Sequence, residues 1–401
     1  MRSSPSMQRI QASGPIFLAF LRLGLTAFGG PIAHLEFFRR EFVERRGWLS
    51  AQAYGDLVAL CQFLPGPASS QVGIALGLMR GGMRGALAAW LGFTLPSALA
   101  MTAFALLLGH TASLANGAWL HGLKLVAVAV VAQALWGMGR SLCPDRERAS
   151  LAVAAAVLAA LVPSVGGQLA VIALGAAVGR WLLRAPALVA HAPLQVPLRH
   201  RSGVALLAAF GALLLGLPLL AAALHQPLLA LFAGMYQSGA LVFGGGHVVL
   251  PLLQAQIVPQ GMDDATFVAG YGAAQAVPGP LFTFAAFLGA AAHLGPGGWI
   301  GAGVALVGIF LPGFLLVTGA LPLWASLRHH PALRGAMLGI NAAVVGLLLA
   351  AFYDPVWTAA IHTPRDFALA LAALLLLQVW RAPPWAVVIG GAALTGLLGW
   401  G

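Results

Sequence analysis

Charge is what this sequence has least of. Of its 401 residues only 8% are Asp, Glu, Lys or Arg, while 60% are hydrophobic. So few charges cannot cover a water-soluble surface. Lysine occurs once, as Lys124, and the acidic residues number ten. The two cysteines, Cys61 and Cys143, make neither a metal spacing nor a disulfide framework; Cys61 reads as a small apolar packing residue. The chain has no GxxxxGK[ST] phosphate loop, no HExxH and no GxSxG. Those absences argue against direct ATP drive and against a hydrolase acting on lipid-linked phosphate, which would need paired carboxylates, a metal or a nucleophile with its base.

What is present is apolar length. Thirteen apolar segments can be drawn between residues 16 and 400, most long enough to cross a bilayer. A β-barrel would instead show segments of about ten alternating residues. The expected fold is an all-α polytopic membrane protein with about 12–13 transmembrane helices, multi-pass in the inner (plasma) membrane of a bacterial cell. Residues 1–11 run into the first segment without a cleavage-site pattern. The net charge of +11 does not point to nucleic acid, because the arginines cluster in short loops beside apolar segments, as the positive-inside bias places them.

The segments carry paired interruptions. Leu64-Pro65-Gly66-Pro67 and Val277-Pro278-Gly279-Pro280 break two of them. Ala27-Phe28-Gly29-Gly30 and Val242-Phe243-Gly244-Gly245 precede the first pair at matching distances. Phe28 and Phe243, Gln62 and Gln275, Pro65 and Pro278, and Pro96 and Pro312 recur at offsets of 213 to 216. An odd number of spans before the second copy turns it over, giving two inverted repeats. The expected domains are 1–200 and 201–401, with 203–223 as a linking span. Loop charges favour broken helices that still span, with 33–50 lying along the interface; re-entrant Pro-Gly-Pro hairpins would bring that loop inside but place Arg328 and Arg334 outside.

At these residues the sequence resembles the chromate ion transporter family in its two-domain form. The likeness rests on Phe28-Gly29-Gly30-Pro31, Arg46-Gly47-Trp48-Leu49, Gln62 to Pro67, Gly92 to Pro96, Phe243 to His247, Gln275 to Pro280 and Gly339 to Ala343, in order, over about 16–140 and 231–353. The resemblance implies a secondary transporter exporting chromate, by anion exchange or proton coupling. Some members have Asn and Glu after the first Pro-Gly-Pro; here Ala68 and Gln71 stand there, which argues against proton coupling through that position. An anion channel, or a sulfate carrier of the same architecture, is the alternative. The implied partners are an inorganic oxyanion and the lipid bilayer, with homo-oligomerisation left open; no cofactor and no metal are implied.

Backbone freed at a break survives in lipid only where protein or a water-filled cavity covers it, and half-helix N-termini suit anions. The expected substrate-binding residues are therefore Phe28, Gly29, Gly30, Pro65, Gly66, Pro67, Phe243, Gly244, Gly245, Pro278, Gly279 and Pro280. Gln62, Ser69, Gln275 and Asn341 add neutral donors, with packing between helices as their plainer role. Arg22 and Lys124 are cations inside apolar segments, where a charge costs roughly 2.5–3.5 kcal/mol on insertion scales; a salt bridge from Arg22 to Asp56, or snorkelling by Lys124, are the alternatives. Asp56 and His247 are the candidates for proton coupling, and Asp263 and Asp264 read as helix caps.

Overall fold

The computed structural model describes residues 12–110, 117–183, 194, 196–292, 295–324 and 331–400. Over these residues the chain is helical and has no strand. The first repeat comprises α1 (Ser13–Thr26), α2 (Gly30–Phe38), α3 (Ala51–Phe63), α4 (Ala68–His110), α5 (Ala118–Leu142), α6 (Arg146–Leu161) and α7 (Val165–Leu182). A largely exposed helix, α8 (His200–Leu224), links it to the second repeat. There follow α9 (Pro227–Ala240), α10 (Val249–Gly261), α11 (Asp264–Ala274), α12 (Phe284–Ala291), α13 (Gly298–Ala320), α14 (Pro331–Ala351), α15 (Pro364–Gln378) and α16 (Pro384–Leu398). Six of these, α4, α5, α7, α8, α13 and α14, are long and apolar enough to cross a membrane.

The repeats match element by element once α4 is recognised as two arms. Gly81 and Gly82 leave helical φ/ψ, and Gly77 on one arm packs against Gly85 and Ala89 on the other. In the second repeat α12 folds back on α13 in the same way, Gly289 meeting Gly301 and Ala305.

The expectation of broken but spanning helices is corrected here: each break turns the chain back. α1 has 14 residues, about 21 Å of helix at 1.5 Å per residue, short of the ~30 Å hydrocarbon core. It runs parallel to the second arm of α4, with Ile16 beside Gly85, Leu21 beside Gly92 and Gly24 beside Phe93, and so ends part-way along it. α2 then returns toward the end where α1 began. Its last turns widen until the Arg46 N–H donates to the Glu41 carbonyl at 3.0 Å, and the Arg80 guanidinium lies 5.4 Å from the Trp48 ring centroid. The FGG turns therefore head re-entrant hairpins just as the Pro-Gly-Pro turns do. With both hairpins re-entrant, the arginines of 39–46, 80–84 and 140–148 and Arg180, Arg199, Arg201, Arg334 and Arg381 share one end of the molecule, and the conflict over 33–50 disappears. Arg184 and Arg328 lie outside the described residues.

The repeats also exchange helices. α14 packs on α6 and α7 of the first repeat, while α5 packs on α15 and α16 of the second. Both contacts run through glycine: Gly175 and Gly179 meet Gly335 and Gly339, and Gly122 meets Gly391. Small residues let membrane helices approach closely where no hydrophobic effect drives them together.

At the arginine-rich end, Glu36 and Glu44 bind Arg39 at 2.8 and 2.7 Å, and Glu41 binds Arg46 at 2.6 Å. Asp145 caps α6 by accepting from the Arg148 N–H at 2.9 Å, and the Arg148 guanidinium beside it holds its carboxyl below the usual carboxylate range.

Candidate functional site at the interlocked breaks

Each Pro-Gly-Pro turn is held by the FGG turn of the other repeat. The Gly66 N–H donates to the Val242 carbonyl at 2.7 Å, and the Gly279 N–H donates to the Ala27 carbonyl at 2.9 Å. Gly66 and Gly279 are repeat equivalents, as are Ala27 and Val242, so one bond is made twice about the pseudo-two-fold axis. Both glycines have left-handed φ, +120° and +101°, which an L side chain resists. The next layer repeats as well: Gly66 lies against Gly313 of α13, and Gly279 against Ser97 of α4. Gly313 and Ser97 are also equivalents, each directly after a helix proline, Pro312 or Pro96.

This arrangement sorts the backbone groups. The carbonyls at Ala27 and Val242, where α1 and α9 have ended, are consumed by the crossing bonds. The N–H groups opening α2, α4 and the turns after Gly245 and Pro280 belong to helix starts, which lack intrahelical acceptors. Buried hydroxyls without a hydrogen-bond partner among the described residues stand beside them: Ser70 Oγ on the first turn of α4, and Thr94 Oγ1 one turn before Ser97. Gln71, fully buried, donates Nε2 to the Pro65 carbonyl at 2.8 Å, and its Oε1 has no partner among the described residues. No arginine or lysine lies on the break segments 27–31, 64–68, 242–247 or 277–281. What converges there is neutral: backbone amides, hydroxyls and amide side chains.

The expected residues divide by place. Phe28, Gly29, Gly30, Pro65, Gly66, Pro67 and Ser69 are brought together with Phe243, Gly244, Gly245, Pro278, Gly279 and Pro280 by the crossing bonds. Phe28 lies 6.0 Å from the Trp385 ring on α16. Asn341 on α14 lies against Gly244, its Oδ1 buried without a hydrogen-bond partner among the described residues. His247 shares a 2.6 Å hydrogen bond with the Tyr271 hydroxyl, and Gln275 follows Tyr271 by one turn. Gln62 is exposed. Arg22 is on the exposed stripe of α1 with Leu18 and Leu25. Asp56 belongs to the arginine-rich end, 6% exposed, where it accepts from the Trp324 indole at 3.3 Å. Lys124 lies toward the opposite end, in the wall of a cavity of about 670 Å³.

One residue at the breaks is missing from the sequence reading. His34 is 1% exposed; its Nε2 lies 3.2 Å from the Ala27 carbonyl and its Nδ1 3.4 Å from Ser69 Oγ. A carbonyl only accepts, so Nε2 carries the proton and the Ser69 hydroxyl faces the other nitrogen. His34 thus joins both turns of the first repeat to the carbonyl that receives Gly279. The signal lay in its position inside the FGGPIAH stretch; its repeat equivalent is Val249, so comparison of the repeats did not raise it.

A family model described as Chromate transporter matches residues 14–180 and 229–397, the two repeats on either side of α8. The chromate transport protein of Pseudomonas aeruginosa is 30% identical over 405 residues, covering 96% of this chain and 91% of that protein. The chromate transport protein of Cupriavidus metallidurans is 28% identical, over 96% of this chain and 92% of that protein. A probable chromate transport protein of Synechococcus elongatus is 27% identical, over 95% and 94%. No solved structure matches the chain.

Proposed function

The chain belongs to the chromate transporter family, a family of transporters rather than enzymes, and on that premise we propose that it exports chromate by alternating access about the interlocked breaks. It is a multi-pass protein of the plasma membrane. The observation that carries the proposal is the reciprocal pair of bonds from Gly66 to Val242 and from Gly279 to Ala27. Those bonds satisfy the negative helix ends and leave the positive ones for a ligand. Chromate is a tetrahedral dianion, and oriented amides and hydroxyls replace its hydration shell without placing a fixed cation in mid-membrane. Gly29, Gly30, Gly244 and Gly245 allow close approach to backbone, and Ser69, Gln275 and Asn341 supply side-chain donors.

Two features support alternating access. Taken as domains, the repeats 1–200 and 201–401 are linked by α8 and exchange helices, so the bodies that rock about the centre are the two mixed bundles, α14 with α6 and α7, and α5 with α15 and α16. The two ends also differ. At the arginine-rich end Trp324, 4% exposed, lies over Asp56. At the other end the residue equivalent to Asp56 is Ala269, which lines the open cavity. The positive-inside bias puts the arginine-rich end in the cytoplasm.

The test is chromate uptake into inverted vesicles driven by an anion gradient. Accumulation above that of empty vesicles, accelerated by anion on the trans side, is the expected result for a carrier. Uptake without trans-stimulation points to a channel, and uptake equal to that of empty vesicles refutes the proposal.

A further inference from the structure

We infer that the chain carries a second oxyanion site, separate from the breaks, in the cavity at its arginine-poor end, with Lys124 as its charged group. The class of ligand, a divalent oxyanion, rests on the transport reading; the site rests on the cavity. That cavity measures about 670 Å³. Its polar wall is formed by His110, His121, Lys124 and Thr266, closed on one side by the glycine turn Gly295–Gly298. Lys124 is the one lysine of the chain, half-buried on α5.

The neighbouring carboxylates are already engaged. Asp366 accepts from His121 Nε2 at 2.7 Å and from the N–H groups of His362 and Thr363 at 3.0 and 2.8 Å. Asp263 caps α11, accepting from the Thr266 N–H and hydroxyl at 2.8 and 2.7 Å. Both carboxylates act on Lys124 at longer range, but among the described residues the lysine makes no ion pair within 4 Å, and it lines the cavity. The N-termini of α5 and α13, at Gly117 and Gly297, open into the same space with no side-chain cap and add positive potential to that of the lysine.

Position gives the site its use. Ala269 and Phe287, in the cavity wall, belong to the two arms of the hairpin whose apex is Gly279. An anion released from the second break toward this end meets Lys124 before bulk solvent. The repeat equivalent of Lys124 is Met337, so the arginine-rich end has no counterpart. The site belongs to one end and gives an otherwise pseudo-symmetric carrier unequal apparent affinities at its two faces.

The single lysine makes the test direct. Purified full-length protein in lipid nanodiscs is treated with an amine-reactive ester, and modification of the Lys124 peptide is followed by mass spectrometry. Sodium chromate is compared with sodium chloride at equal ionic strength. A bound dianion both shields the amine and holds its proton, so chromate slows modification several-fold and saturably. Equal rates in chromate and chloride overturn the site. Flux is measured on the same preparations. Protection without any chromate flux leaves the site standing and removes the transport reading; flux without protection does the reverse. In Lys124→Gln the half-saturating chromate concentration at that face rises about tenfold, the loss of one charge-assisted contact, while the maximal rate changes less. An unaltered half-saturation contradicts the proposal.

Discussion

At the scale of single residues the breaks depend on glycine for a reason that can be stated atom by atom. An alanine Cβ at position 279 would stand 2.8 Å from Ser97 Oγ and 3.2 Å from the Phe93 carbonyl oxygen, at a φ of +101°. Left-handed φ alone costs an L residue about 1–2 kcal/mol. Gly279→Ala is expected to lower the melting temperature of the purified protein and to abolish chromate flux while the chain still inserts, as flux assays on equal amounts of membrane protein will show. At position 66 the nearest atom is the flexible Gln71 amide at 2.9 Å, with the Gly313 backbone behind it at 3.3 Å; the same substitution there is expected to act in the same direction. His34 is a positioning residue. His34→Ala leaves the Ser69 hydroxyl without its buried partner, a loss of about 1–3 kcal/mol. His34→Gln keeps a donor for the Ala27 carbonyl and is expected to recover part of both stability and flux, which a purely space-filling role would not predict.

At the scale of elements, length and contact decide how each helix is used. α1 and α9 each have 14 residues, too few to span, and they stop where a second turn is ready to accept the chain. The exchanged helices hold the repeats together through glycine faces. A Cβ at Gly339 would fall into the backbone of Gly175 and Gly179. Gly339→Val is therefore expected to part α14 from α7 by more than a side chain can absorb and to reduce the yield of folded protein in gel filtration. The same change at Gly303, which has open space around it, is expected to leave yield unaltered.

At the scale of the whole molecule, inversion of the repeats is a statement about sidedness. Gln52 and Ala265 are repeat equivalents, both exposed, at the starts of α3 and α11. In a Cys143→Ser background, with Cys61 fully buried, Gln52→Cys is expected to react with an impermeant thiol reagent only from the cytoplasmic side. Ala265→Cys is expected to react only from the other. Labelling of both from one side would end the inverted arrangement and the transport proposal with it.

Composition alone determined that this chain lives in lipid, because so few charges cannot cover a soluble surface. Repeat spacing determined where its backbone is interrupted, because proline and glycine leave the helix wherever they recur together. The pairing of Phe28 with Phe243 and of Pro65 with Pro278 was legible for that reason. What each interruption does to the chain's direction was not: a turn that kinks a spanning helix and a turn that reverses it use the same residues. Only the neighbours choose between them, here the long arm of α4 beside α1 and that of α13 beside α9. Nor could the sequence tell a cation inside an apolar run from one at its rim. Arg22 and Lys124 look alike in the chain, yet one lies on the outer stripe of α1 and the other in a cavity wall. Which donors meet which carbonyls was decided by the crossing of hairpins 176 and 252 residues apart, Gly66 with Val242 and Gly279 with Ala27, a contact that leaves no local trace because both partners are backbone.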